Sequence, residues 1–174
     1  MSPNHSTIHV LRPGLFTTIQ DLGRRGYQRF GVSVSGAMDP WALTVGNRLV
    51  SNPDRAAGLE ITLQGPELFF EHRLSIAITG ADLSPTRDGH ALPMWTVVTM
   101  QAGSRLQFGV RRRGTRAYLA VAGGIDTPVQ LGSRATHVRS GLGGLAGGPI
   151  RKADRLVVRS PAQARDGHTL SPAH

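Results

Sequence analysis

Apolar residues along most of this chain come in short alternating or continuous runs separated by Gly, Pro and Asp. That texture predicts many brief strands joined by turns. Strands are expected at Thr7–Leu11, Gly58–Leu63, Glu67–Phe70, Leu74–Thr79, Trp95–Met100, Arg105–Phe108, Ala117–Val121 and Arg155–Val158. Asp88-Gly89 is a hairpin signal, because a tight turn needs positive φ angles that Gly tolerates and Asp can approach. It should join Ser84–Arg87 to the stretch starting at His90. The class is therefore mainly β, and about eight such strands suit a barrel or a sandwich.

One segment breaks the pattern. Asp39 can cap a helix with its carboxylate, Pro40 suits the first helical position, and Trp41 to Val50 continues it. Ala42, Val45 and Leu49 share a face at helical spacing, and that face should pack on the sheet. Gly46 permits close backbone approach there, and Asn52-Pro53 ends the helix. From Ala122 onward Gly123-Gly124, Gly132, Gly141, Gly143-Gly144 and Gly147-Gly148 follow in quick succession, which predicts a long loop of the kind that more often serves function than decoration. Ser160 to His174 is polar and aperiodic and reads as a disordered tail.

Composition narrows the chemistry. The 174 residues include no cysteine, which excludes disulfides, thiolate metal ligands and a thiol nucleophile. His5, His9, His72, His90, His137 and His168 place no pair on a predicted helix face, so no metal site is expected. The formal charge of +9 raises nucleic-acid binding, but the arginines are dispersed. Neither Arg24-Arg25 nor Arg111-Arg112-Arg113 is interleaved with aromatics that would stack on bases, so a charged, solvated surface is the expectation and no nucleic-acid partner is assigned. No apolar run reaches the roughly 18 residues of a membrane span. Met1 to Ser6 does not resemble a secretory signal, and a cytoplasmic location is the default expectation.

Four segments have an order too specific for generic turns: Phe16-Thr17-Thr18-Ile19-Gln20-Asp21-Leu22-Gly23-Arg24, Ser35-Gly36-Ala37-Met38-Asp39, Ile78-Thr79-Gly80-Ala81, and Arg116 to Gly124 followed by Leu131-Gly132-Ser133-Arg134. In this order, with Leu59-Glu60-Ile61-Thr62 and Gly65-Pro66 between them, they resemble the biotin-dependent carboxyltransferase family, also called allophanate hydrolase subunit 2, to which the C subunit of 5-oxoprolinase and KipA belong. The resemblance covers about Ile8 to Val158 and implies a cyclophilin-like β-barrel domain over 1–159, truncated relative to the family, whose members continue into a second β-rich half.

The resemblance further implies a subunit of a 5-oxoprolinase-like, ATP-dependent amidohydrolase complex that opens 5-oxoproline to glutamate, acting with a KipI-type (allophanate hydrolase subunit 1-like) chain and a LamB/YcsF-type chain. A KipA-like regulatory module without catalysis, a urea carboxylase or allophanate hydrolase related carboxyltransferase subunit, and an inactive fragment are the alternatives. No phosphate-cradling Gly-x4-Gly-Lys-Ser/Thr loop occurs, so any ATP site should be composite with the partners. Covalent biotin is not expected on this chain, whose sole lysine is Lys152.

The common thread is a small amide or ureido substrate whose carbonyl must be polarised by backbone N–H groups and arginines. Ser35, Gly36 and Ala37, just ahead of the Asp39 cap, either offer N–H groups to an anion or merely shape the helix start. Gln20, Asp21 and Arg24 form a polar cluster on an expected loop. There Asp21 either orients Arg24 toward a carboxylate or phosphate or makes a structural pair with it. Arg116 and Tyr118 share one strand face, lining a barrel mouth or facing solvent. Glu60, in an apolar strand, either faces solvent or reaches a polar site. Thr79 and Gly80 belong to the candidate set through their motif. Ser133, Arg134 and Thr136 lie in the Gly-rich loop, as ligand or as turn groups. This chain has Ala135 where family members carry a second serine, Gly148 where they carry Arg, and Ala153 ahead of Asp154 where they carry Gly.

Overall fold

The computed structural model describes residues 5–159. Among them are β1 (Ser6–Arg12), β2 (Phe16–Gln20), α1 (Pro40–Leu49), β3 (Gly58–Thr62), β4 (Glu67–Phe70), β5 (Leu74–Asp82), β6 (Pro85–Arg87), β7 (His90–Ala91), β8 (Val97–Met100), β9 (Arg105–Phe108), β10 (Arg113–Val121) and β11 (Arg155–Val158). They form two antiparallel sheets, ordered β11-β1-β4-β9-β6-β7 and β2-β3-β10-β5-β8. Ile8, Val10, Leu68, Phe70 and Leu106 from the first sheet meet Leu59, Ile61, Ile76, Ile78 and Leu119 from the second in one buried core.

The mainly β class and the single α-helix agree with the sequence expectation, but the sheets are not closed into a barrel. Pairing does not continue from β2 or β8 into the other sheet, so each sheet keeps two edges. Those edge strands are only two to five residues long, which limits the unpaired backbone they present. The Asp88-Gly89 hairpin forms as expected, with Arg87 opposite His90 and φ of 50° at Asp88. β2 carries no periodic signal in the sequence, because four of its five residues are buried without alternation, two of them threonines. Gln20 therefore ends a strand rather than lying on a loop. The Gly-rich stretch is a loop pinned by isolated bridges such as Gln130 with Ser133 and His137 with Leu142. The expected tail at 160–174 lies outside the described residues.

β10 is the spine of the second sheet, hydrogen-bonded to β3 on one side and β5 on the other. Ala117, Leu119 and Val121 point into the core between the sheets, while Tyr118, Ala120 and Ala122 point toward α1. Both faces are covered, which excludes a solvent-facing position for Tyr118. The helix starts where the sequence says it should: Asp39 Oδ1 accepts from the Ala42 N–H at 3.0 Å. Ala42, Leu43, Gly46, Asn47 and Leu49 face inward. Thr79 Oγ1 donates to the Ala42 carbonyl at 2.7 Å, so this candidate residue ties helix to sheet. Among the described residues no helix is long and apolar enough to cross a membrane.

This packing makes stability testable at two positions. A Cβ at Gly46 would lie 3.2 Å from both Ala120 Cβ and Thr79 Oγ1, so Gly46→Leu should lift α1 off the sheet and cost about 1–3 kcal/mol in urea denaturation. Ala153 sits at φ 72° in the turn where the family pattern has Gly. Relief of the roughly 1–2 kcal/mol left-handed penalty exceeds the added chain entropy, so Ala153→Gly should raise the urea midpoint by up to about 1 kcal/mol of stability.

Candidate functional site

The sequence-selected residues fall into two groups joined by one segment. The first lies where the loop after β2 meets the Gly-rich loop, and its centre is Asp21, 5% exposed. Asp21 Oδ1 accepts from the Gly23 N–H and the Ser133 hydroxyl, each at 2.7 Å, and Oδ2 accepts from the Arg134 N–H at 2.7 Å. Thr136 Oγ1 donates to the Ile19 carbonyl at 2.9 Å, and Gln20 Nε2 donates to the Thr136 carbonyl at 3.2 Å. The hydroxyls of Ser133 and Thr136 thus clamp the loop instead of facing a ligand. The Arg134 guanidinium pairs with Asp126 at 3.1 Å.

Arg24 departs from the expected role. Its side chain is wholly buried, with Nη2 donating to the Ala135 carbonyl and Nε to the Gln130 carbonyl. Asp21 does not hydrogen-bond it, because backbone N–H groups and Ser133 already fill that carboxylate. The guanidinium holds the Gly-rich loop down rather than presenting its fork to an outside anion. Burial pushes the Arg24 pKa down, and the charge of Asp21 opposes that.

The joining segment runs from Ser35 to Asp39. Ser35 has φ 56° and Gly36 φ 93°. A Cβ at Gly36 would come within 2.8 Å of the Gly23 nitrogen, so only glycine lets the two loops touch. The Ala37 N–H donates to the Asp21 carbonyl at 2.9 Å, the Met38 N–H to Glu60 Oε2 at 2.7 Å, and the Asp39 N–H to the Tyr118 hydroxyl at 2.8 Å. One expectation for this turn is N–H groups open to an external anion. The anion at the Met38 N–H is instead the protein's own Glu60.

Glu60 is the centre of the second group. It stands on β3 between Thr18 of β2 and Tyr118 of β10, and is 7% exposed. The Tyr118 hydroxyl donates to Oε2 at 2.8 Å, and Arg116 Nε reaches Oε1 at 3.3 Å. Burial, followed by the charge of Glu60, raises the Tyr118 pKa and keeps the phenol a donor, although its hydrogen bond from the Asp39 N–H works the other way. Arg116 and Asp39 line an open cleft of about 730 Å³ together with Met38, Trp41, Trp95 and Arg113. A bulge shapes its wall: between Arg113 opposite Asp82 and Ala117 opposite Gly80, β10 has three residues where β5 has one. Bulges of this kind re-aim side chains. Gly80, at φ 79°, accommodates it, since a Cβ there would meet the Arg116 carbonyl at 2.5 Å.

Asp39, Glu60, Gly80, Arg116 and Tyr118 are therefore at or directly behind one cleft, and Gln20, Asp21, Arg24, Ser133, Arg134 and Thr136 are in the loop clamp. Sequence reasoning misses Met38, Trp41, Trp95 and Arg113. The available signal is Trp41 on the first turn of a helix whose buried face does not include it. Chemically, only one nitrogen of the Arg116 fork is engaged by Glu60, so its remaining N–H groups are available in the cleft to a carbonyl or carboxylate oxygen. Among the described residues no group of His, Asp and Glu could hold a metal ion.

Comparison with known proteins gives this geometry its relatives. A family model described as carboxyltransferase domain, subdomain A and B, matches residues 30–174. The chain is 41% identical over 151 residues to the C subunit of 5-oxoprolinase from Escherichia coli, covering 87% of this chain and 49% of that protein. It is 40% identical over 156 residues to urea amidolyase of Saccharomyces cerevisiae, covering 89% of this chain and 8% of that protein. The solved structure of Kluyveromyces lactis urea carboxylase superposes with a TM-score of 0.88 at 35% identity, over 95% of this chain and 15% of that one. The chain thus spans about half the length of one relative and under a tenth of the other.

Tyr118 supplies a sharp test of the buried network. Tyr118→Phe leaves the Asp39 N–H without its acceptor and Glu60 without its hydroxyl donor, and should cost about 1–3 kcal/mol. A phenol whose pKa is raised by folding contributes stability that is complete below its ordinary value of 10.0 and is lost as pH rises further. Urea denaturation across alkaline pH should accordingly show a limb above pH 10.0 that is flatter in Tyr118→Phe than in the parent.

Proposed function

Because the chain belongs to the carboxyltransferase domain, subdomain A and B, family, we propose that it is a subunit of a 5-oxoprolinase-like assembly opening 5-oxoproline to glutamate with ATP. The partners in this reading are a KipI-type chain and a LamB/YcsF-type chain, and ATP sits at a site composed with them. Support comes from two bacterial relatives, each named as the C subunit of 5-oxoprolinase, at 41% and 36% identity. The observation that carries the reading is the Glu60 to Arg116 contact at the cleft: a buried carboxylate fixes one edge of a guanidinium and leaves the rest for the substrate's carbonyl.

In a lactam the carbonyl oxygen gains negative charge as the carbonyl carbon is attacked, and the ring C–N bond breaks when that charge returns to the carbon. A preorganised cation beside that oxygen lowers the barrier most where its orientation is set in advance. Glu60 supplies that orientation, and Tyr118 and the Met38 N–H hold Glu60. A second reading, a urea carboxylase type subunit, draws on the 40% identity to urea amidolyase. It asks the same polarisation of a ureido carbonyl.

The test is reconstitution with both partner chains and measurement of ATP-dependent glutamate release from 5-oxoproline, with urea as the parallel substrate. Glu60→Gln retains the acceptor for the Met38 N–H but turns an amide donor toward Arg116. Turnover should fall on the order of a hundredfold with the circular dichroism spectrum unchanged. Full activity in that variant, or turnover of urea alone, would overturn the proposal.

A further inference from the structure

The chain has two tryptophans, and both line the cleft. Their ring centroids are 5.4 Å apart with planes inclined by 45°. Trp41 projects from the first turn of α1 and is 67% exposed, beside Met38 at 69%. Neither exposure serves the core, which α1 closes with Ala42, Leu43 and Leu49. Trp95 adds an independent observation. It lies at φ 60°, a region that costs a bulky side chain about 1–2 kcal/mol, and its N–H is pinned to the Ile78 carbonyl at 2.8 Å. One side of the indole packs on the cluster of Ala42, Leu43 and Tyr118, which makes it a rigid wall. At the other end of the bulge, Arg113 is exposed and makes no ion pair among the described residues. Its cross-strand neighbour Asp82 also lines the cleft but makes no ion pair with Arg113, one oxygen accepting from the Ser84 N–H at 2.8 Å.

We propose that Trp41 and Trp95 form a stacking wall for a planar cyclic amide and that Arg113 anchors a carboxylate carried by the same ring. The inference rests on the reading of Arg116 given above and deepens it by assigning the residues that select the ring and its carboxylate. Aromatic faces favour flat, polarisable rings. Urea is too small to cover two indoles and carries no negative charge for Arg113. A biotinyl group presents a ureido ring, but its carboxylate is consumed by attachment to its carrier. A carboxylate-bearing lactam uses both features, with its carbonyl left for Arg116.

Because Trp41 and Trp95 are the chain's only tryptophans, intrinsic fluorescence reports on this cleft without any turnover. Titration of the chain with 5-oxoproline should give a saturable change, with 2-pyrrolidinone, which lacks the carboxylate, binding roughly tenfold or more weakly. Arg113→Ala should erase that preference and Arg113→Lys restore part of it, while urea and biotinyl-lysine remain the weaker ligands in the parent chain. Equal affinity for 5-oxoproline and 2-pyrrolidinone, preference for biotinyl-lysine, or the absence of any saturable response to 5-oxoproline would each overturn the proposal. In the reconstituted assembly, Arg113→Ala should raise KM for 5-oxoproline more than it lowers kcat. If the assembly turns over 5-oxoproline with KM unaltered, the wall is misassigned and the function stands. If the chain binds 5-oxoproline and the assembly does not open it, the function fails and the wall stands.

Discussion

Glu60 sets a carboxylate in the middle of an otherwise apolar strand, with β2 on one side and β10 on the other. Removing such a group from water costs several kcal/mol unless its oxygens are fully met. Everything around the cleft can be read as meeting them. Tyr118 has to stand opposite on β10, the chain ahead of α1 has to bring the Met38 N–H over the sheet, and Arg116 has to turn back along the bulge. Since Asp39 follows Met38 directly and its N–H bonds the Tyr118 hydroxyl, the helix start is fixed by the same network. The position of α1, and with it the Trp41 side of the cleft, depends on one buried charge.

A second carboxylate does the corresponding work for the loops. Asp21 gathers the Gly23 N–H, the Ser133 hydroxyl and the Arg134 N–H, and its backbone carbonyl takes the Ala37 N–H. Only Met38 separates Asp21's hold on Ala37 from Tyr118's hold on Asp39. The Gly-rich loop and the cleft are therefore mechanically connected through the short segment from Ser35 to Asp39. A disturbance at Ser133 or Arg24 has a structural route to the cleft through the placement of this segment.

How much of this is legible in the sequence depends on how local the cause is. The α1 cap, the Asp88-Gly89 hairpin and the eight expected strands follow from neighbours a few residues apart, and they stand where periodicity puts them. β2 is different, because a strand buried on both faces loses the alternation that marks it. An arginine near an aspartate suggests an oriented fork, which makes Arg24 look like a ligand group. The partners that decide its role, Gln130 and Ala135, are more than a hundred residues away. Glu60 stands out as a charge in an apolar run, yet its two possible fates separate only once Tyr118 is known to face it across the sheet. The open edges of the sheets, likewise, are a matter of long-range pairing that strand counting cannot reach.

Positive φ at non-glycine residues does not by itself mark the site. Ser51, Leu63, Leu131 and Ala153 have it in ordinary turns away from the cleft. What separates Trp95 is the combination of a bulky side chain, a strained backbone and a partly exposed indole facing a second one. A glycine would hold the same backbone without strain, whereas Trp95 both packs against the Tyr118 cluster and shows part of its indole to the cleft. The bulge in β10 has the same character: it breaks the register of the sheet's longest pairing and gains no core contact, yet it delivers Arg113 and Arg116 to one cleft. Local rules are broken on both walls of the same space, where two indoles and two guanidinium groups stand beside the residues Asp39 and Asp82. That coincidence is what the proposed flat ring with its carboxylate draws on, and it leaves the rest of the domain to hold the walls still.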